Sequence, residues 1–208
     1  MRRIRRLLLG IVVPGVMVTA MAGGVLGLAA PPASAVPVNK LDANLAAVWT
    51  TVLQTPDPQN PFGTGGAAYA CLNLGGTVAP FGPKGVDSCT VKPGTQVFVT
   101  ASSFECSTFE GNGTTEAQLR ACARKYDAQV APSVTVDGAS VPVTEAETPL
   151  LHIVLPQNNI FGQPAGTTGL SVGHGWAALL HPLTPGTHAI VIHTDPVVTT
   201  KIIVQPGH

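Results

Sequence analysis

An apolar stripe with helical spacing opens the first regular segment of the chain. Its members fall at i, i+4, i+7, i+8, i+11 and i+12, which places them on one helix face; they are Leu41, Leu45, Val48, Trp49, Val52 and Leu53. Asn39 suits the N-cap, and Pro56 and Pro58 mark the end. The pattern predicts a helix over about 40–54, with Trp49 as a core anchor rather than a ligand-stacking residue.

A second helix is predicted by its capping pattern. Thr115 is followed three positions later by Gln118, the spacing of a capping box. Good helix formers continue from there, so we expect a short helix over about 116–126.

The remaining apolar segments have the length and spacing of β-strands. Asp137-Gly138, between 133–136 and 141–144, is a strong hairpin signal. The continuous apolar run 150–155 is typical of a strand buried on both faces. Further strands are expected at 76–81, 96–101, 170–180, 188–193 and 199–204. Short strands at these intervals predict a mainly-β, single-domain β-sandwich, immunoglobulin-like or jelly-roll-like, with two short helices.

The N-terminus carries the features of a secretory signal peptide. Four arginines precede an uncharged apolar stretch over 7–30, and Ala33-Ser34-Ala35 follows as a small-x-small cleavage site; the arginines are Arg2, Arg3, Arg5 and Arg6. We expect cleavage after Ala35 and a secreted domain over 36–208, with no stable membrane insertion afterwards. A retained membrane anchor and a twin-arginine signal are the alternatives.

Charge and composition narrow the class of partner. The chain has 11 basic and 11 acidic residues. Four of the basic residues lie in the leader, so the segment after Ala35 carries a net charge near −4. That balance, without a Lys/Arg cluster, argues against nucleic acid. Charged residues make up only 11% of the chain, well below the roughly 25% of typical soluble domains, and 23 Gly with 19 Pro fit a turn-rich β protein.

Four cysteines follow the leader, and they allow three pairings. An oxidising destination favours disulfides over metal ligands or nucleophiles. Proximity in sequence favours Cys71 with Cys89 and Cys106 with Cys122. No C-x₂-C pair suggests zinc, and neither a metal nor a cofactor is predicted.

The chemistry of the chain favours binding over catalysis. No G-x-S-x-G elbow marks a nucleophile. His174 lies between two glycines beside Trp176, and the long loop 156–169 contains Asn158 and Asn159. These four residues are the predicted ligand contacts of a non-enzymatic extracellular binding or envelope-associated protein, and the predicted partner is a cell-wall glycan or another envelope component.

A secreted hydrolase is the alternative. It requires acid/base groups near Glu105, Glu110 and His174, with Asp127 as a further candidate, to converge in one cleft. Glu105, Glu110 and Glu116 also raise the possibility of a Ca²⁺ site, although Glu116 is already explained by its place at a helix N-terminus.

Several short motifs together resemble a group of secreted bacterial proteins of high-GC, actinobacterial type with no assigned function. They are Asn60-Pro61, CTVKPG at 89–94, SFECS at 103–107, LRACA at 119–123, VDG at 136–138, GHGW at 173–176 and PLTPGTH at 182–188. The resemblance covers nearly all of the segment after Ala35. It implies a shared fold and the sequential disulfides, and it brings no catalytic residues.

Overall fold

A computed structural model of the protein describes residues 39–64, 71–82 and 86–207. The helices are α1 (Lys40–Leu53) and α2 (Glu116–Asp127), with a 3₁₀ turn at Asp57–Gln59. The strands are β1 (Cys71–Asn73), β2 (Thr77–Pro80), β3 (Ser88–Val91), β4 (Gln96–Ser107), β5 (Ser133–Val136), β6 (Ala139–Val141), β7 (Thr144–Glu147), β8 (Leu151–Val154), β9 (Thr168–Leu180), β10 (Gly186–His193) and β11 (Val198–Val204). The predicted signal peptide lies outside the described residues. Within them, no helix is long and apolar enough to span a membrane.

Both predicted helices are confirmed together with their caps. The Asn39 side chain accepts hydrogen bonds from the N–H groups of Leu41 and Asp42, and the apolar stripe of α1 is buried apart from Leu41, which is partly buried. At α2, Thr115 and Gln118 form the reciprocal capping box. These local bonds satisfy backbone donors that a helix N-terminus leaves without intrahelical partners.

The first sheet, sheet A, is built around two long strands. Its order is β1-β2-β4-β9-β7, and β8 also pairs with β9. β4 and β9 are antiparallel from Val97↔Leu180 to Ser107↔Ser171, with an irregularity between Thr100 and Ser102. On the other edge of β4, parallel β2 pairs only at Thr77↔Gln96 and Val78↔Val97.

The second sheet, sheet B, has the order β3-β11-β10-β5-β6. Its β5–β6 hairpin turns at Asp137 and Gly138, both in the left-handed region at φ 50° and 83°. The hairpin is confirmed, but the prediction of 141–144 as its second strand is wrong. β6 ends at Val141, because Pro142 has no N–H for the ladder, and Thr144 begins β7 in sheet A.

The elements pack in layers that confirm a mainly-β, single-domain sandwich with two helices. Helix α1 packs on one face of sheet A around the fully buried Phe98. Sheet B covers part of the opposite face, where Val99 and Ala178 of sheet A meet Ile190 and Ile202 of sheet B. Helix α2 covers the rest of that face through Leu119 and Ala123.

The prediction that 150–155 is buried on both faces is wrong. In β8, Leu151 and Ile153 are buried, whereas His152 and Val154 are exposed. Leu151 and Ile153 belong to the α1 core. The strand therefore buries one face only, with the period-2 alternation of a half-covered strand.

Two disulfides and a cluster of ion pairs connect these layers. Cys71–Cys89 joins β1 to β3, and Cys106–Cys122 joins β4 to α2, which confirms the predicted pairing. The Arg120 and Arg124 side chains of α2 both contact Glu147 of β7. Helix α2 is thereby linked to β4 and to β7, the two strands that flank β9 in the sheet order.

Candidate functional site

His174 lies in the interior of the protein. It occupies the middle of β9 and is only 4% exposed. The flanking glycines leave room for packing: a Cβ at Gly173 would come within 2.3 Å of Trp49 Cδ1, and one at Gly175 within 2.1 Å of the Ser102 carbonyl oxygen. The close approach expected at these glycines is therefore made by the protein's own residues.

Two carboxylates hold the His174 ring from opposite sides. Nδ1 lies 3.1 Å from Asp127 Oδ2, and Nε2 lies 2.9 Å from Glu145 Oε1. Ionised carboxylates only accept, so pairing both ring nitrogens with them requires an imidazolium or one protonated carboxyl. Burial raises the pKa of Asp127, while His174 and the Ser102 hydroxyl oppose that rise. We call Asp127, Glu145 and His174 the acid–histidine cluster; it connects the end of α2 to β7.

The other three predicted ligand contacts lie apart from one another. Trp176 is partly buried and packs against the core between the sheets. Asn159 is 4% exposed and organises its own loop, because its amide donates to the carbonyls of Pro156 and Gln163 at 2.9 and 2.7 Å. Asn158 is exposed on that loop at φ 54°.

The loop 156–169 and His174 do not form one surface. β9 begins at Thr168, six residues before His174, which corresponds to about 20 Å along a strand. The loop instead meets the turn after β4, where Gln163 Nε2 donates to the Phe109 carbonyl at 3.2 Å and the Phe109 and Phe161 rings stack.

Glu105 of β4 forms a separate carboxyl pair with Glu110, which lies in the turn after that strand. The Ser171 hydroxyl donates to the Glu105 carboxyl. Burial raises the pKa of Glu105 to about 7, and the Glu110 charge adds to the rise, while the Ser171 and Ser107 hydroxyls oppose it. Burial also raises the pKa of Glu110.

The two acidic groups occupy opposite faces of sheet A. His174 is paired with Phe104, and Gly173 with Glu105. Successive side chains point to opposite faces of a strand, so Glu105 and His174 point away from each other. The residues of the predicted hydrolase therefore do not converge. Ser102 also fails as an activated nucleophile, since it contacts Asp127 at 3.2 Å rather than the His174 ring.

The three glutamates considered for calcium do not form one site, because only Glu105 and Glu110 lie side by side. Glu116 forms an ion pair with Arg120 on its own helix. Across 39–64, 71–82 and 86–207, no group of three or more His, Cys, Asp or Glu side chains is placed to hold a metal ion.

A concave feature of the protein is a cleft of about 390 Å³ between the two sheets. Its walls are mostly apolar. One wall is the inner face of sheet B with the turn between β10 and β11, and another is the run of β4 from Val99 to Phe104. Further contacts come from Val130, from the segment Pro80 to Gly82 and from Phe62, which lies between α1 and β1. The apolar side chains that line the cleft include Phe62, Phe81, Val86, Ile190, Ile192 and Val198. No local motif predicts this cleft, because its walls come together only through long-range packing.

Aromatic rings and one buried hydroxyl distinguish the cleft. Phe62 is 45% exposed and stacks on Trp49 with ring centroids 6.1 Å apart, while Phe81 meets Phe62 edge-to-face at 5.9 Å. Thr100 lines the cleft, and its hydroxyl oxygen is buried without a hydrogen-bond partner among the described residues. Such a group is costly unless something pairs with it.

Comparison with known proteins gives no independent indication of function. No protein-family model matches the chain, and no curated protein matches it in sequence. Among solved structures, the solution structure of amebosin is similar over 62% of this chain and 96% of its own length, at 11% sequence identity and a TM-score of 0.23. A TM-score this low carries no argument about fold or function.

Proposed function

We propose that the protein is an extracellular binding module that holds the apolar part of an envelope component in the cleft between its sheets. The observation that carries the proposal is the cleft itself. Its volume of about 390 Å³ lies within the range of small-ligand sites, which are mostly apolar with a few polar groups. Thr100 supplies such a polar group within apolar walls.

The placement of the ionisable groups supports binding rather than hydrolysis. Asp195 is the one charged side chain among the described residues that line the cleft. The ring nitrogens of His174 are occupied by hydrogen bonds to Asp127 and Glu145, and Glu105 points to the other face of sheet A. General acid/base catalysis needs such groups within hydrogen-bond reach of one substrate.

The location is part of the same proposal. Two disulfides fit an extracellular protein, and we infer that the N-terminal signal directs the chain there. The apolar lining favours an envelope component with an apolar moiety over an unsubstituted glycan. The predicted glycan contacts support a glycan less well, since His174 and Asn159 are buried in internal hydrogen bonds.

Binding of the apolar fluorophore 1-N-phenylnaphthylamine tests the proposal. Ile192→Ser removes an apolar side chain from the cleft wall, whereas Val191→Ser alters its neighbour on the outer face of β10. We expect saturable binding that Ile192→Ser weakens by about tenfold, since burying such a side chain contributes about 1.5–3 kcal/mol. Val191→Ser should bind as the wild type does, with circular dichroism confirming that both variants fold.

A panel of esterase, glycosidase and peptidase substrates provides the opposing measurement. We expect no turnover. Turnover that disappears in Glu105→Gln or in His174→Ala, with the fold retained, would replace the binding proposal by the hydrolase. Equal fluorophore binding by the Ile192→Ser and Val191→Ser variants would remove the cleft as the binding site.

A further inference from the structure

We propose that the ligand of the cleft is an extended peptide from a partner protein, which adds as a strand to the open edge of β4. This inference rests on the proposed function, and it specifies the class of ligand. Strand addition uses main-chain hydrogen bonds for affinity and pockets for alternate side chains for specificity. Three features of the cleft point to that mode.

The first feature is that the cleft is lined by consecutive residues of β4. All six residues from Val99 to Phe104 line it. A cavity on the face of a sheet touches every second residue of a strand, because alternate side chains point away. Contact with consecutive residues therefore means that the cleft faces the edge of β4, where the N–H and C=O groups emerge. By contrast, Ile190 and Ile192 of β10 contribute alternate positions, as expected of a sheet face.

The second feature is that this edge lacks a neighbouring strand within the described part of the chain. Strand β9 pairs with one edge of β4 from Val97 to Ser107, with a register shift between Thr100 and Ser102. On the other edge, β2 pairs only with Gln96 and Val97. β2 ends at Pro80, and proline cannot donate to a ladder. From Val99 to Phe104 this edge has no strand partner among the described residues, and such an edge is the usual template for another strand.

The third feature is the chemistry of the two walls beside that edge. A strand added next to β4 would point alternate side chains toward sheet B, where Ile190 and Ile192 lie, and toward the opposite wall with Phe62 and Phe81. Both walls are apolar. The edge is about 20 Å long for six residues, so it accommodates a segment of about six residues that is uncharged and largely apolar.

Thr100 adds a requirement at one position of that peptide. Its neighbours Val99 and Ala101 face sheet B in the core, so Thr100 points to the other side, toward the wall of Phe81. Its hydroxyl has no partner among the described residues. Directly opposed Thr and Ser side chains hydrogen-bond across strands. We therefore expect the bound peptide to carry Thr or Ser opposite Thr100.

The test uses the full-length folded protein and a panel of fluorescein-labelled, end-capped hexapeptides. Each peptide alternates Thr with one apolar residue, Val, Leu, Phe or Tyr, and binding is followed by anisotropy and by displacement of phenylnaphthylamine. We expect at least one peptide to bind and to displace the fluorophore. In two-dimensional NMR, hydrogen exchange should slow at every second amide between Val99 and Phe104, because the others are already bonded to β9.

Two matched comparisons sharpen the outcome. Methylating the backbone nitrogens along one edge of the bound hexapeptide should abolish binding, while methylating the other edge should leave it intact. Thr100→Val should reduce the preference for Thr over Val at the facing position by about fivefold, in line with one hydrogen bond. Thr199→Val, an exposed position on sheet B, should leave that preference unchanged.

The outcomes separate this inference from the proposed function. If the fluorophore binds the cleft but no peptide of the panel does, strand addition is refuted and the binding module stands. The same holds if both edge-methylated peptides bind as tightly as the parent. If neither the fluorophore nor any peptide binds, the proposed function fails as well.

Discussion

The substitution Glu105→Gln should stabilise the protein at alkaline pH and have little effect in acid. Glu105 is partly buried, and its carboxyl accepts from the Ser171 hydroxyl. Glutamine keeps the shape of the side chain and retains an oxygen that can accept from Ser171. The substitution therefore removes mainly the charge, which is the form that burial disfavours.

The size of the effect follows from the pKa of Glu105. Folding raises that pKa from 4.5 to about 7, so between these values the folded protein holds a proton that the unfolded chain has released. The free energy of unfolding must then fall as the pH rises through this window, and the full cost is reached above pH 7. A shift of this size corresponds to about 3 kcal/mol. We take that figure as the upper limit of the gain in Glu105→Gln at pH 8.

Urea denaturation at pH 4.5 and pH 8, with the disulfides intact, measures the effect. Wild-type protein should lose stability between the two values relative to Glu105→Gln, and the two proteins should be nearly equal at pH 4.5. Asp87→Asn removes an exposed acid that directly precedes β3 and serves as the matched control. The reasoning is refuted if Glu105→Gln gains the same stability at both pH values, or if it is less stable than wild type at pH 8.

Three further predictions concern other buried or paired groups. His174→Ala should cost about 3 kcal/mol in urea denaturation, because it opens a cavity and removes the hydrogen-bond partner of the buried Asp127 carboxyl; a loss below 1 kcal/mol would show that the acid–histidine cluster does not stabilise the fold. Replacing Cys106 and Cys122 together by serine should cost about 3 kcal/mol through loop entropy, and an unchanged denaturation midpoint would contradict it. Asp137 raises the pKa of His188, so an NMR titration of Asp137→Asn should bring that pKa back toward its ordinary value, and no change would disprove the pairing.

The helices and disulfides could be predicted because their signals are local. The stripe of α1, its Asn39 cap and the prolines after it lie within about twenty residues, and the observed helix ends one residue from the predicted boundary. The capping box of α2 is equally compact. The hairpin at Asp137 depends on two adjacent residues that both adopt positive φ.

The burial of β8 and the surroundings of His174 could not be predicted, because they depend on which distant residues cover each position in three dimensions. The apolar run at β8 gave no sign that only its α1 face would be covered. The glycines around His174 indicated a close approach, but they could not show that Trp49 makes it. Asp127 and Glu145, the partners of His174, lie 47 and 29 positions away, beyond the reach of any local motif.

The pairing of β4 with β9 also sets the order in which the chain can fold. Phe104 pairs with His174, 70 positions later, and Cys89 of β3 pairs with Ile202 near the end of the described chain. Both sheets therefore close only after most of the polypeptide is available, which gives the protein a high contact order. Topologies of this kind refold in milliseconds to seconds rather than microseconds. Until β9 and β11 are in place, α1 and α2 have no completed sheet to pack against, so we expect a partly synthesised chain to remain largely unfolded.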